Sequence, residues 1–319
     1  MLIGYHASHE QFAPSLLMAC ARAAEEAGFG SVKSSDHFHP WSERQGQSGF
    51  AWSWLGASMA VTTVPFGSIC APGYRYHPAI IAQGAATLAE MFPDRFWLAI
   101  GSGQAINEAM TGLPWPEKAE RNERLRECAA VIKQLLAGET VTHRGRITVV
   151  EAKLYSRPRT PPRIFGAAVT EETARFVAQW ADGLLTTGSE PEASRKAIEA
   201  FREAGGEGKP VYVQHALSWA PTEDEAMEQA LDQWSSAVAG GEVNWDLRRP
   251  KDFDTVGALI SPDRIHQSVA VSAEPGWHAE RIAGYRDLGV DAVYVHNVGT
   301  NQRQFIEAFG AKVLPQLVD

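Results

Sequence analysis

Ser31-Val32-Lys33-Ser34-Ser35-Asp36-His37-Phe38-His39-Pro40-Trp41 reads as a short strand that runs out into an acid, two imidazoles and an indole. Pro40 excludes a helix through the residue before it and biases His39 toward an extended conformation. The side chains therefore sit on a turn and not on a helix face. A strand that ends in chemistry-bearing residues is the signature of a fold whose sites gather where strands stop and the following loops begin. A histidine whose ordinary pKa lies near neutrality is a natural general base at such a place, and Trp41 suits the wall of a pocket for a flat ligand. The plainer alternative also stands: Asp36-His37 as a local hydrogen-bonded turn and Trp41 as packing.

Outward from this stretch the chain alternates. Before it, Leu2 to His6 reads as a strand and Pro14 to Gly28 as a helix, with Leu16, Leu17, Ala23 and Ala27 on the apolar side and a glycine stop. After it come a polar loop from Ser42 to Gly49 and a helix from Trp52 to Val61, then a strand from Phe66 to Cys70. His77-Pro78 opens the next helix, since proline suits a first turn. Arg95 to Ile100, Ile164 to Ala167, Gly183 to Thr187, Val211 to Leu217 and Ala292 to His296 supply five further strands. Helices at Lys118 to Leu136, Thr170 to Trp180, Pro191 to Gly205 and Gln302 to Leu314 follow four of them, and Thr140 to Leu154 alternates like a decorating hairpin. Eight strands with intervening helices predict an α/β protein, a (β/α)8 TIM barrel with insertions. It forms a single domain over residues 1–319 with its main insertion at about 220–276. A doubly wound open sheet is the structural alternative.

Composition narrows the partners. The 319 residues are 45% hydrophobic and 21% charged, enough for a sizeable core, and the net charge of -9 with no basic cluster argues against a nucleic-acid surface. Met1 to Glu10 has no signal-peptide pattern and no run is long enough to span a membrane, so a cytoplasmic protein is expected. Cys20, Cys70 and Cys128 show no paired spacing, which speaks against a disulfide scaffold or a zinc ribbon.

In the barrel arrangement the polar and glycine-rich residues collect at one mouth. Gly166-Ala167-Ala168-Val169-Thr170 feeds a helix, with Thr170 as N-cap; its small side chains and the helix amino end could hold a cofactor phosphate without a lysine. An ordinary strand-to-helix turn uses the same residues. Gly101-Ser102-Gly103 gives a second tight turn, with Asn107 and Glu108 behind it, but lacks the third glycine and the carboxylate of a dinucleotide fingerprint. His37 and His39 could ligate zinc in a metal-dependent barrel hydrolase, with His215 and His296 as further candidates, although no aspartate or lysine pattern completes that set.

Glu10-Gln11-Phe12-Ala13-Pro14, Ser35 to Trp41, Tyr74-Arg75-Tyr76-His77-Pro78 through Gln83, Gly101 to Glu108 and Asn301 to Phe305 together resemble the F420-dependent glucose-6-phosphate dehydrogenases. More broadly, the chain is similar to the luciferase-like superfamily of flavin and deazaflavin oxidoreductases, and within it to a branch described as non-F420 and FMN-using. The resemblance implies a homodimeric flavoprotein barrel and an oxidoreductase, either dehydrogenase or luciferase-like monooxygenase. It implies FMN or F420 as cofactor and hydride transfer to or from a small hydroxylated or carbonyl substrate. It places Asp36 beside the ring, makes His37 the general base, packs Trp41 near the transferred hydride and turns Glu10 toward the substrate. It implies a non-prolyl cis peptide at Ser68-Ile69 under the ring, with Ser102, Asn107, Ala167, Ala168 and Val169 lining the cofactor.

Two departures bear on that implication. The family's glutamate after the glycine turn is Gln104 here, and an amide donates a hydrogen bond but cannot deliver a proton; this gives a slight preference for FMN. The basic residues that hold a sugar phosphate fall at Glu190 and about Gln267, which turns the expectation away from glucose 6-phosphate. An F420-dependent sugar-phosphate dehydrogenase, a metal hydrolase and a non-catalytic flavin-binding protein stand as the alternatives. Trp219, Trp234, Trp245 and Trp277, in or beside the insertion, are candidate pocket walls or packing residues.

Overall fold

The computed structural model describes residues 1–240 and 243–317. Eight strands form the frame: β1 (Leu2–Ala7), β2 (Ser31–Ser34), β3 (Phe66–Cys70), β4 (Phe96–Ile100), β5 (Ile164–Ala167), β6 (Gly183–Gly188), β7 (Val211–Ser218) and β8 (Ala292–Asn297). Each pairs in parallel with its sequence neighbour, β8 pairs with β1 through Leu2↔Ala292 to Tyr5↔Val295, and the sheet closes on itself. Closure rules out the open doubly wound sheet and gives the expected (β/α)8 barrel. Between strands run helices such as Pro14–Glu26, Pro78–Met91, Lys118–Ala137 and Gln302–Lys312, whose apolar faces cover the outside of the barrel.

The sequence expectations survive with small shifts. The first helix stops at Glu26, two residues early, and the helix expected from Trp52 begins at Ala51. Residues Thr140 to Leu154 do form an antiparallel hairpin, Val141–Arg144 with Thr148–Ala152. Unforeseen is a two-residue strand in the insertion, Ala270–Val271, which pairs with Leu217 and Ser218 on the edge of β7 that β6 has already left. The insertion itself is helical, Glu223–Trp234 and Pro250–Gly257 among its elements, and packs around its own small core of Ala226, Ala230, Ile265 and Val269.

The barrel interior is layered. Its lower part is an aromatic plug: Trp97, Phe165, Tyr212 and Tyr294 meet at ring separations of 4.4–5.8 Å, and the Trp97 indole donates to the Tyr294 hydroxyl at 3.1 Å. Gly67 lies where a Cβ would run into the Trp97 ring, so glycine is what lets the indole cross the barrel. One layer higher the plug gives way to His6, Lys33, Gln214 and His296, and above these the barrel opens into a cavity.

The family's expected cis peptide is not formed: among the described residues every peptide bond is trans, Ser68–Ile69 included. Ser68 also does not face the cavity. It is buried against β2, where its hydroxyl accepts from the Ser34 hydroxyl at 3.0 Å.

Candidate active site

The cavity encloses about 750 Å³ at the carboxyl ends of the strands, within the size range of small-molecule sites. Asp36, His37, Trp41, Ile69, Ser102, Gln104, Asn107, Ala167, Ala168, Val169 and Glu10 all line it. These stretches are distant in the chain, and the barrel brings them together because each follows a different strand.

One wall belongs to the β1 and β2 loops. The His37 Nε2 lies 3.3 Å from a carboxylate oxygen of Glu10, whose other oxygen accepts from the hydroxyls of Ser8 at 2.9 Å and Ser35 at 2.5 Å. Burial alone would raise the Glu10 carboxyl. The opposing His37 and the two serine hydroxyls outweigh it, so Glu10 ends below the usual carboxylate range. Burial holds His37 below its ordinary value, with Glu10 pulling it up. The outcome is a neutral imidazole at physiological pH, oriented by a carboxylate, which is the arrangement a general base needs. Trp41 packs on the imidazole, ring centroids 4.8 Å apart, and is held from behind by Phe253 of the insertion at 5.2 Å.

The loop that carries His37 is tied down on both sides. The Asn107 side chain accepts from the Phe38 N-H at 2.9 Å, and Ser48 donates to the His37 carbonyl at 2.6 Å. His39 turns away to the Ile106 carbonyl at 2.7 Å, so the two imidazoles of the zinc reading point apart. His296 is engaged with Gln11 and Gln214, and His215 with Tyr285. Among the described residues no three His, Cys, Asp or Glu side chains stand in metal-binding reach.

Asp36 is nearly inaccessible and is held by two residues to which the sequence analysis gave no role. Arg75 approaches its carboxylate at 3.3 Å and donates to its carbonyl at 2.9 Å, and the Tyr76 hydroxyl donates at 3.0 Å. The same guanidinium faces Glu108 at 3.8 Å, while the Arg75 N-H donates to Glu108 at 2.9 Å. Burial pushes Glu108 up to about 7 and raises Asp36 too, against the pull of Arg75 in both cases. Signals for Arg75 and Tyr76 were present in the Tyr74 to Pro78 stretch, but their partner lies about forty residues earlier and nothing local names it.

The loops after β4 and β5 line the cavity with small residues and, with the helix Lys118–Ala137, two cations, Lys118 and Arg121. Gly103 sits at φ +82°, in the left-handed region, where a Cβ would press on Glu108, Ala71 and Trp115 at 3.1–3.3 Å. Thr170 caps the helix Glu171–Ala178 as expected, accepting from the Thr173 N-H at 3.3 Å. The Ala168 N-H, however, is spent on the Leu185 carbonyl at 3.0 Å, so it is not free for a phosphate. The charge is supplied instead by Lys118, which donates to Ser102 at 3.1 Å and lines the cavity beside the same helix end. The amide oxygen of Gln104 is 3.4 Å from the Asn107 side-chain nitrogen.

Of the four tryptophans, Trp234 and Trp245 line the cavity. Trp219 is buried in the core with its indole on the Ala273 carbonyl, and Trp277 lies under the Arg281 guanidinium. Glu190 is ion-paired to Arg281 at 3.1 Å, while Gln267 reaches the cavity as a neutral group. Lys33, buried at the cavity floor, went unnoticed in the sequence; the inward alternation Ser31, Lys33, Ser35 was the signal that could have found it.

A closed (β/α)8 barrel with a polar, carboxylate-braced imidazole and an indole facing a small-residue cradle across a ligand-sized cavity defines a barrel enzyme working at its strand carboxyl ends. The luciferase-like monooxygenase family model matches residues 2–292. The chain is 36% identical over 325 residues to an F420-dependent glucose-6-phosphate dehydrogenase of Microbacterium testaceum, covering 98% of this chain and 96% of that protein. It is 35% identical over 332 residues to one of Beutenbergia cavernae, covering 99% and 97%. The structure is similar to that of an F420-dependent secondary alcohol dehydrogenase in complex with an F420-acetone adduct, with a TM-score of 0.92 and 29% identity over 100% of this chain and 99% of the other. The chain belongs to the luciferase-like monooxygenase family.

Proposed function

We propose that the protein is an oxidoreductase that uses an F420- or flavin-type cofactor to interconvert an alcohol and a carbonyl in a small substrate. The observation that carries this is the Glu10–His37–Trp41 wall facing the Gly101–Gly103 turn across one cavity. A planar tricyclic ring fits the cavity by size, by the small side chains of Gly101, Ala167 and Ala168, and by the donor set of Ser102, Asn107 and Gln104. Lys118 stands where a phosphate-bearing tail would need charge. When bound, such a group supplies the hydride donor or acceptor.

The protein's own residues do the rest. His37 takes the proton from the substrate hydroxyl in oxidation and returns it to the carbonyl oxygen in reduction. Glu10 fixes the ring of His37 and stabilises its charged form, and Trp41 with Phe253 covers the reacting atoms from water. Asp36, braced by Arg75 and Tyr76, presents a fixed polar edge to the ring. F420 is the favoured cofactor, since the relatives at 35–36% identity over nearly the whole chain are F420-dependent; the preference for FMN drawn from Gln104 finds no support among them. Glucose 6-phosphate fits poorly, because neither Glu190 nor Gln267 adds a cation to the cavity. The likeness to a secondary alcohol dehydrogenase favours an uncomplicated alcohol or ketone carbon at His37.

The reading brings with it a single folded unit over 1–319, a homodimer and a cytoplasmic setting. The first two rest on the family resemblance and are tested by limited proteolysis and light scattering. The last is supported by three buried free thiols, Cys20, Cys70 and Cys128, and among the described residues no helix is long and apolar enough to cross a membrane. The experiment for the function is the absorbance spectrum and mass of the small molecule that copurifies, followed by turnover of secondary alcohols with that cofactor. A 420 nm chromophore reduced by an alcohol in the wild type but not in His37→Asn supports the reading; turnover unchanged in His37→Asn refutes the role given to His37.

A further inference from the structure

The floor of the cavity carries a cation that the proposed proton transfer does not use. Lys33 is 1% exposed, yet it lines the cavity. On β2 it stands two residues before Ser35, so its side chain occupies the inward layer roughly 7 Å below the Ser35–Glu10 pair. Its Nζ donates to the Gln214 amide oxygen at 2.6 Å and faces the His6 Nδ1 at 3.4 Å. An ammonium has three N-H groups, and these contacts engage two.

No carboxylate pairs with Lys33 among the described residues. Glu10, the acid whose charge acts on it, is committed to His37, Ser8 and Ser35. The two imidazoles nearby, His6 and His296, are held neutral by burial and add no second positive charge beside it. A buried cation without an anion is costly, and here the open side of that cation is a cavity.

We propose that Lys33, flanked by Gln214 and His6, is the subsite for a carboxylate of the substrate, which makes the substrate a small hydroxy or oxo acid. The inference rests on the cavity being the site of alcohol–carbonyl exchange at His37. The two-residue offset between Lys33 and Ser35 along the chain separates the carboxylate from the reacting carbon, which favours acids whose two groups are not on adjacent carbons. The other anion that could reach the floor is the ring of a reduced cofactor, and the test separates the two.

The apoprotein is titrated at pH 6.5 with hexanoate, 5-oxohexanoate and the uncharged hexanamide, followed by tryptophan fluorescence and by ligand-induced shift of the melting temperature. Both carboxylates are expected to bind saturably and hexanamide not to. Lys33→Met and Lys33→Gln are expected to lose roughly tenfold or more in carboxylate affinity, the weight of one charge-assisted hydrogen bond. His37→Asn is expected to retain the binding. Carboxylate binding weakens above about pH 7 as Lys33 gives up its proton; Glu10 stays ionised and His6 and His296 neutral across that range. Equal binding of acid and amide, or equal binding by wild type and Lys33→Met, overturns the subsite. So does a loss confined to reduced-cofactor affinity. Lys33-dependent carboxylate binding without any alcohol or ketone turnover keeps the subsite and sinks the redox reading; ketone turnover in which oxo acids are as unaffected by Lys33→Met as uncharged ketones does the reverse.

Discussion

Replacing Lys33 by methionine removes a buried ammonium while keeping a side chain of similar length, and its effect on stability follows from the structure. Burial pushes Lys33 from an ordinary 10.5 down to about 7, with Glu10 pulling the other way. At about 1.36 kcal/mol per pH unit, a drop of that size corresponds to roughly 5 kcal/mol of lost stability at neutral pH. The folded pKa lies below the unfolded one, so between pH 7 and 10.5 the unfolded chain binds the extra proton. Stability therefore rises with pH across this window; the cost is complete below about pH 7 and absent above about 10.5. The neighbours do not titrate there, since Glu10, His6 and His296 are all held below their ordinary values.

Methionine has no such dependence but leaves the Gln214 oxygen without its donor, which returns about 1–3 kcal/mol of the gain. Lys33→Met is accordingly expected to be about 2–4 kcal/mol more stable than the wild type at pH 7. The gap should shrink by roughly 3 kcal/mol by pH 10. Urea unfolding at pH 7, 8.5 and 10 reads both quantities from the midpoints. A variant less stable than the wild type at pH 7, with a gap that stays constant to pH 10, would show that Lys33 is not an uncompensated buried charge.

Three further outcomes are expected. His37→Asn should lower turnover about 10²–10⁴-fold while cofactor affinity stays within a few-fold, measured by steady-state kinetics beside a binding titration. Lys118→Met should weaken phosphate-bearing FMN or F420 roughly tenfold and riboflavin far less, because the lost group is a cation that reaches the ring donors only through Ser102. Gly67→Ala forces a methyl into the Trp97 indole and should cost about 1–3 kcal/mol, seen as a lower melting temperature with reduced near-UV circular dichroism from the aromatic plug.

The barrel was legible in the sequence because its strands are short apolar runs set between helices with clear stops, such as Pro78 at one start and Gly138 at one end. The mouth was legible for the same reason: Asp36, His37, Ser102 and Ala168 all fall just past a strand end. What stayed hidden depends on partners far apart in the chain. Arg75 shares itself between Asp36 and Glu108, and Phe253 of the insertion holds Trp41; neither pairing has a local pattern. The strand Ala270–Val271 is two residues long and exists only because β7 outruns β6. Ser68 was placed at the ring by family resemblance, whereas its side chain pairs with Ser34 in the barrel wall. Lys33 was hidden by its type, since a lysine in a serine-rich stretch reads as solvated surface until closure turns it inward.

The claim that the cavity clasps a planar redox cofactor is tested most directly by titrating the purified apoprotein with F420 and with FMN and following the ring absorbance at equilibrium. One saturable site per chain, tighter for F420 and abolished by Ala167→Trp, which fills the small-residue wall, is the expected result. Binding of neither cofactor, or binding indifferent to Ala167→Trp, would contradict it.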